Sequence, residues 1–244
     1  MTERELRIHI CDVGRRLYNR GLIAGADGNI SLRLPRGRLL TTPSGCSKGF
    51  MKPEDLVLTD MAGSPLGGGS PSSELKLHLA VYRKRPDVSA VIHAHPPKAV
   101  AFTLAGVSLE ECIMPEVLMY MGTVPTTRYA TPASQEGADV IEEVIEKHDA
   151  ILLDRHGAVT VGQTLLQAWE RMDKLEHYAE IVLSARQLGA VRTLTVDELE
   201  RLAKNAAQYG YKIDISSCRA CSSCPEREKI AAAVAAEIRA AGLA

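Results

Sequence analysis

The order in which strand-like and helix-like segments follow one another constrains this chain more than any other feature. Residues 29–34 alternate polar and apolar side chains, as a half-buried strand does. Residues 38–42 and 56–59 read as further short strands, and residues 88–95 as a fourth. The continuous apolar run from Ala150 to Leu153 predicts a strand covered on both faces. Helical spacing is found over residues 3–21, where Leu6, Ile10, Val13 and Leu17 recur and Gly21 supplies a stop. It is found again over residues 73–83, 133–147, 165–188 and 196–207, with Ser134 and Thr195 as helix starts. Residues 63–73 are rich in Gly, Ser and Pro and predict a loop. The strict strand-helix-strand alternation of a doubly wound nucleotide-binding sheet is absent. A single layered α/β domain is therefore expected. Its body spans residues 1–215, and a cysteine-bearing linker with an alanine-rich terminal helix occupies residues 216–244.

Composition narrows the partners. The 244 residues can bury a sizeable core, and the net charge of -1 gives no basic excess for a nucleic-acid backbone. With 4% aromatic residues there is little material for a base-stacking platform. The charged start Met1-Thr2-Glu3-Arg4-Glu5 leads into no signal-like apolar stretch, and no apolar run is long enough to span a bilayer. A cytoplasmic protein with neither nucleic-acid nor membrane partners is expected. Of the six cysteines, Cys11, Cys46 and Cys112 are scattered and three cluster near the end of the chain; without an export signal a secreted disulfide framework is the weaker reading.

The chemistry concentrates in short motifs. In Ile92-His93-Ala94-His95-Pro96, residues two apart on a strand share a face, so His93 and His95 present two imidazoles side by side. Such a pair suits zinc, or is simply two polar residues at a strand end. His156, in Arg155-His156-Gly157, follows an apolar strand and could complete the three-ligand set of a catalytic zinc site, or could cap a loop. His9, His78, His148 and His177 fall in helical patterns or exposed ends and read as structural or surface residues. Pro71-Ser72-Ser73-Glu74 sets two hydroxyls and a carboxylate at a helix start, either an anion site or an ordinary cap. Gly28-Asn29-Ile30-Ser31 and Thr42-Pro43-Ser44-Gly45 are turn-rich segments whose donors and glycines could approach an anion.

Taken in order, G-N-I-S at 28–31, T-P-S-G at 42–45, P-S-S-E at 71–74, H-A-H-P at 93–96 and R-H-G at 155–157 resemble the class II aldolase/adducin family, in particular its fuculose-phosphate aldolase type. The resemblance runs from about residue 5 to about residue 213. It implies an α/β/α sandwich around a mostly antiparallel sheet, assembled as a homotetramer with active sites between subunits. It implies one Zn2+ per subunit on His93, His95 and His156, and Glu74 as an acid/base that can also ligate the metal. Gly28, Asn29, Ser44, Gly45, Ser72 and Ser73 would cradle a phosphate. Tyr129, in Val124 to Ala130, resembles the tyrosine that a neighbouring subunit contributes at the aldehyde oxygen, and Tyr209 resembles a C-terminal tyrosine that closes the site.

The implied activity is cleavage of a ketose 1-phosphate to dihydroxyacetone phosphate and an aldehyde through an enediolate. Aldolases or dehydratases of 5-deoxy- or 5-methylthio-ribulose 1-phosphate, decarboxylases and 4-epimerases share the family's site. The epimerases carry aspartate where Glu74 stands. An adducin-like scaffold would be expected to lack the ligand set. Cys218, Cys221 and Cys224 depart from the family pattern; three thiols at this spacing suit a partial metal site, a redox group, a disulfide or a plain linker.

Overall fold

The computed structural model describes residues 1–209 and 213. Cys218, Cys221, Cys224 and the expected terminal helix over 225–241 lie outside the described residues. Helix α1 (Glu3–Asn19) begins on a capping box in which the Thr2 hydroxyl accepts from the Glu5 amide and the Glu5 carboxylate accepts from the Thr2 amide. It buries Ile10, Val13, Gly14 and Leu17 at the spacing read from the sequence. Two short strands follow, β1 (Asn29–Leu34) and β2 (Arg38–Thr41), then a 3-10 turn (Pro53–Asp55) and β3 (Val57–Asp60). Helix α2 (Leu75–Lys84) leads into β4 (Ala90–Ala94), α3 (Pro97–Leu104), α4 (Pro115–Met121) and α5 (Gln135–Glu142). A hairpin of β5 (Ala150–Leu153) and β6 (Gly157–Gly162) precedes the long α6 (Leu165–Leu188) and α7 (Val196–Gln208). Among the described residues no helix is long and apolar enough to cross a membrane.

The six strands form one sheet in the order β3-β2-β1-β4-β6-β5, and every neighbouring pair is antiparallel. Alternation along the strands divides the core. Ile30, Leu32, Ile92, Ala94 and Leu152 face a layer made from α1, α3, α4 and α6, where Leu17, Phe102, Trp169 and Met172 pack. Val91, Ile151, Leu153, Val159 and Val161 face the opposite layer, where Leu79 and Tyr82 of α2 and Ile141 of α5 pack. Helices thus cover both faces, giving the expected α/β/α sandwich. Each Leu or Ile taken fully out of water here contributes about 1.5–3 kcal/mol. The run Ala150 to Leu153 is buried at every position, because β5 serves both layers in alternation.

Boundaries shift where short-range chemistry decides them. Helix α2 starts at Leu75 rather than Ser73, and α5 stops at Glu142 rather than 147. Strand β6 and helices α3 and α4 were not expected. Strand β6 is bracketed by Gly157 and Gly162, which read as breakers, and α3 and α4 are short and open on Pro97 and Pro115. His78, expected as structural or surface, is a buried core residue.

Candidate metal centre and active site

The central strands aim the candidate residues into one layer. Asn29 of β1 lies opposite His93 of β4, so the two side chains leave the sheet on the same face, toward α2. His95 follows β4 on that face. The β5–β6 turn delivers His156: Leu153 pairs with Gly157, and Arg155 takes a left-handed conformation with φ 56°. A left-handed non-glycine residue costs about 1–2 kcal/mol. The hairpin pairing and a hydrogen bond from the Arg155 amide to the Thr103 hydroxyl, at 3.0 Å, hold it there.

The ring nitrogens of His93, His95 and His156 lie within 4.8 Å of one another, with ring centroids 4.8–5.1 Å apart. His93 is fully buried, and its Nδ1–H donates to the Ala158 carbonyl at 3.0 Å. His95 Nδ1 faces Asp27 Oδ2 at 3.4 Å. Both partners are acceptors, so both rings turn an unprotonated Nε2 inward. Those two Nε2 atoms are 3.1 Å apart. Two lone pairs at that separation repel unless a cation or a proton sits between them. A tetrahedral ion with bonds of about 2.0–2.1 Å spaces its nitrogens by about 3.4 Å, so the donor set fits a divalent cation. Burial pushes His156 down to about 4, with the neighbouring His93 adding to it, and burial likewise lowers His95. Both rings are thereby kept in the neutral, ligating form.

Glu74 sits at the N-cap of α2 but makes no side-chain cap bond. Its carboxylate turns into the histidine cluster instead, with Oε2 at 3.2 Å from His93 Nε2 and Oε1 at 3.4 Å from His156 Nε2. Burial disfavours its charged form. Positive charge shared with His93 and His156, whether a proton or a cation between these groups, outweighs burial with the help of the Asn29 amide and holds the carboxyl below the usual range.

Asn29 Nδ2 donates to Glu74 Oε2 at 2.9 Å. The carboxylate accepts only, so the Asn29 amide must present its Oδ1 to His78 Nε2, which it meets in a short hydrogen bond. That Nε2 therefore carries the proton. Burial pushes His78 down to about 3, so its Nδ1 is a lone pair that accepts from the Ser31 hydroxyl at 2.6 Å. Ser31 Oγ is then free to accept from Tyr82, 2.9 Å away. Sequence reading missed this buried row, because a histidine on an apolar helix face carries no local mark of its partner.

Beside the histidines, a cleft of about 260 Å3 is lined by Gly28, Asn29, Ser44, Gly45, Ser72, Ser73, Glu74, His95 and His156. All six candidate phosphate residues thus share one concavity with Glu74, His95 and His156. An antiparallel bridge between Pro43 and Pro71, with bonds from the Ser44 amide to Ser70 and the Ser72 amide to Thr42, draws the two hydroxyl-rich loops together. Gly28 has φ +69°, and a Cβ there would lie 2.8 Å from the His93 carbonyl. Asp27, Lys48, Pro132 and Ala133 also line the cleft and were not singled out from the sequence. Lys48 lies three residues beyond the T-P-S-G turn, where a lysine ordinarily signals solvent.

The two tyrosines stand apart. Tyr129 is 48% exposed, with the Arg155 guanidinium 4.8 Å from its ring centroid, and it is not among the residues lining the cleft. Tyr209 caps α7 and is 70% exposed.

Gly157 is where β6 passes beneath the cluster. A Cβ at this position would lie 2.6 Å from the Ala94 carbonyl, 2.8 Å from His95 and 2.9 Å from His93. Gly157→Ala is expected to destabilise the fold by about 1–3 kcal/mol, as overpacking does. It should also weaken metal binding by displacing both rings. Denaturant unfolding and metal titration of the variant check both effects.

The comparisons agree with this geometry. The profile for the class II aldolase and adducin N-terminal domain matches residues 8–183. The 3-oxo-tetronate 4-phosphate decarboxylase of Escherichia coli strain K12 is 35% identical over 207 residues, covering 82% of this chain and 96% of that protein. The L-fuculose phosphate aldolase of Methanococcus vannielii is 34% identical over 174 residues, covering 71% of this chain and 92% of that protein. The solved structure of YgbL from Klebsiella pneumoniae superposes with a TM-score of 0.76 at 34% identity, covering 83% of this chain and 99% of that one. With the profile spanning most of the described chain and the motif residues gathered around one histidine cluster, the chain belongs to the class II aldolase and adducin family.

Proposed function

We propose that this chain is a zinc-dependent lyase that cleaves a small ketose 1-phosphate of the fuculose type into dihydroxyacetone phosphate and an aldehyde. The observation that carries this reading is the shared cleft, in which hydroxyl-rich loops, His95, His156 and Glu74 face one space, with His93 buried behind them in the same nitrogen cluster. His93, His95 and His156 would hold the ion, whose Lewis acidity, when bound, favours negative charge on the substrate's oxygens. Ser44, Ser72, Ser73 and Asn29 bind the phosphate, a group remote from the reacting carbons, and so convert binding into orientation. Glu74 is ionised at neutral pH and carries the carbon-bound proton on and off the three-carbon half. Next to Glu74 and His156, Leu77, Ala130, Ala133, Val140 and Leu153 line one side of a small cavity of about 20 Å3, with Lys76, Thr127, Thr131, Ser134 and Asp154 also in its lining. Tyr129, supplied by a neighbouring subunit of a homotetramer, would exchange the proton of the aldehyde oxygen, and Tyr209 would close over the site. A cytoplasmic, tetrameric enzyme of carbohydrate metabolism follows from this reading.

A second reading is decarboxylation of a 3-oxo sugar acid phosphate, the reaction named for the Escherichia coli relative. Lys76 borders the same cavity and would meet the carboxylate. One assay separates the two. The zinc-loaded protein is incubated with dihydroxyacetone phosphate and a panel of short aldehydes, and in parallel with 3-oxo-tetronate 4-phosphate. Ketose phosphate formation supports the aldolase, and carbon dioxide release without condensation supports the decarboxylase. No turnover in either arm removes both the aldolase and the decarboxylase readings.

A further inference from the structure

Lys48 is buried to 2% exposure, yet it belongs to the wall of the phosphate cleft. Its ammonium has three N–H donors. One goes to the Ala26 carbonyl at 2.5 Å. The acids nearest the cleft are committed elsewhere, Asp27 to His95 and Glu74 to His93 and His156. Among the described residues, no carboxylate forms an ion pair with Lys48. Lysine is almost never buried unless paired, because removing its charge from water is costly. Burial accordingly pushes this ammonium below its ordinary range, with the more distant Cys46, Asp27 and Glu74 partly offsetting the effect. Ser44, Gly45, Ser72 and Ser73 line the same cleft with hydroxyls and glycine backbone, which can donate to an anion but cannot neutralise one.

We propose that Lys48 is the cationic member of this cleft, pairing with the phosphate ester of the substrate and selecting dianionic substrates over neutral ones. The proposal rests on the reading that the cleft holds a phosphate. A buried ammonium with no carboxylate ion pair, on the same wall as these hydroxyls and glycines, supplies the positive charge that they lack, and charge-assisted hydrogen bonds are the stronger kind. The competing role is mechanical: through Ala26 the side chain could simply tether the 24–28 loop.

Inorganic phosphate is the probe. Its affinity for the full-length, metal-loaded protein is measured calorimetrically for the parent, Lys48→Met, Lys48→Gln and Lys48→Arg. Loss of one charged hydrogen bond weakens binding by about 10–100-fold, expected in the Met and Gln variants, with partial recovery in Arg. KM for the phosphorylated substrate should rise in step. The phosphate-free melting temperature should stay level or increase, because a buried charge has been removed. Parent-like phosphate affinity in both neutral variants overturns the proposal and leaves the cleft assignment standing. Loss of a cooperative melt in both neutral variants overturns it in favour of the tether. A parent that turns over phosphorylated sugars without measurable phosphate binding also overturns it. A parent that neither binds phosphate nor turns over substrate removes the functional reading itself.

Discussion

Glu74→Gln should lower turnover by about 10²–10⁴-fold, the range spanned by positioned acid–base groups, while the metal content of the protein stays near that of the parent. Glutamine has the same length and shape, and its carbonyl oxygen can still accept from Asn29, so neither α2 nor the buried row behind it needs to move. The amide has no basicity to offer the substrate. The three imidazoles keep their own contacts through Ala158, Asp27 and the β5–β6 hairpin, none of which passes through Glu74. Elemental analysis combined with steady-state rates checks both halves of the expectation. Turnover within about threefold of the parent would remove Glu74 from the chemistry and return it to the role of a polar residue at a helix start.

His156→Ala should be the more drastic change for the metal. It takes one imidazole from a set of three and leaves Glu74 Oε1 facing an empty position. Changes to residues that merely orient ligands already cost 10–100-fold in affinity or activity, so loss of a ligand should exceed about 100-fold. A bound ion also stabilises the fold by mass action, about 2.7 kcal/mol when it is present at one hundred times its dissociation constant. The parent should therefore melt at a lower temperature after chelation, and His156→Ala should melt at one temperature with or without chelator. A variant that retains stoichiometric metal and responds to chelation like the parent would show that His156 is not a ligand.

Much of this architecture was legible because burial leaves a period in the sequence. The α6 bounds emerged intact, since Trp169, Met172, Leu175 and Tyr178 recur along it, and all four are buried. Strand β1 was legible from its alternation, and that alternation continues in the structure as Ile30 and Leu32 on one layer and Asn29 and Ser31 on the other. Strand β6 was not, because Gly157 and Gly162 carry the signature of a break while serving as places where other groups approach closely. At the site, the histidine pair and Glu74 were legible as chemistry. Their meeting was not, because it depends on the β1–β4 register and on a left-handed Arg155, neither of which is a local property of the chain. Lys48 shows the same limit from the other side: its composition reads as solvent, and its burial comes from how the loops fold over it.

The row from Tyr82 through Ser31, His78 and Asn29 to Glu74 has a polarity. Each proton points toward the carboxylate or is pinned by a neighbour whose own choice is already made, so reversing any one member sets two acceptors or two donors against each other. The aim of the carboxylate is thus inherited, through Asn29, from Ser31, His78 and Tyr82, which lie deep between α2 and the sheet and do not line the cleft. Evolution could retune such an enzyme from behind, through positions 31, 78 and 82, without altering a single charge in the mouth of the site.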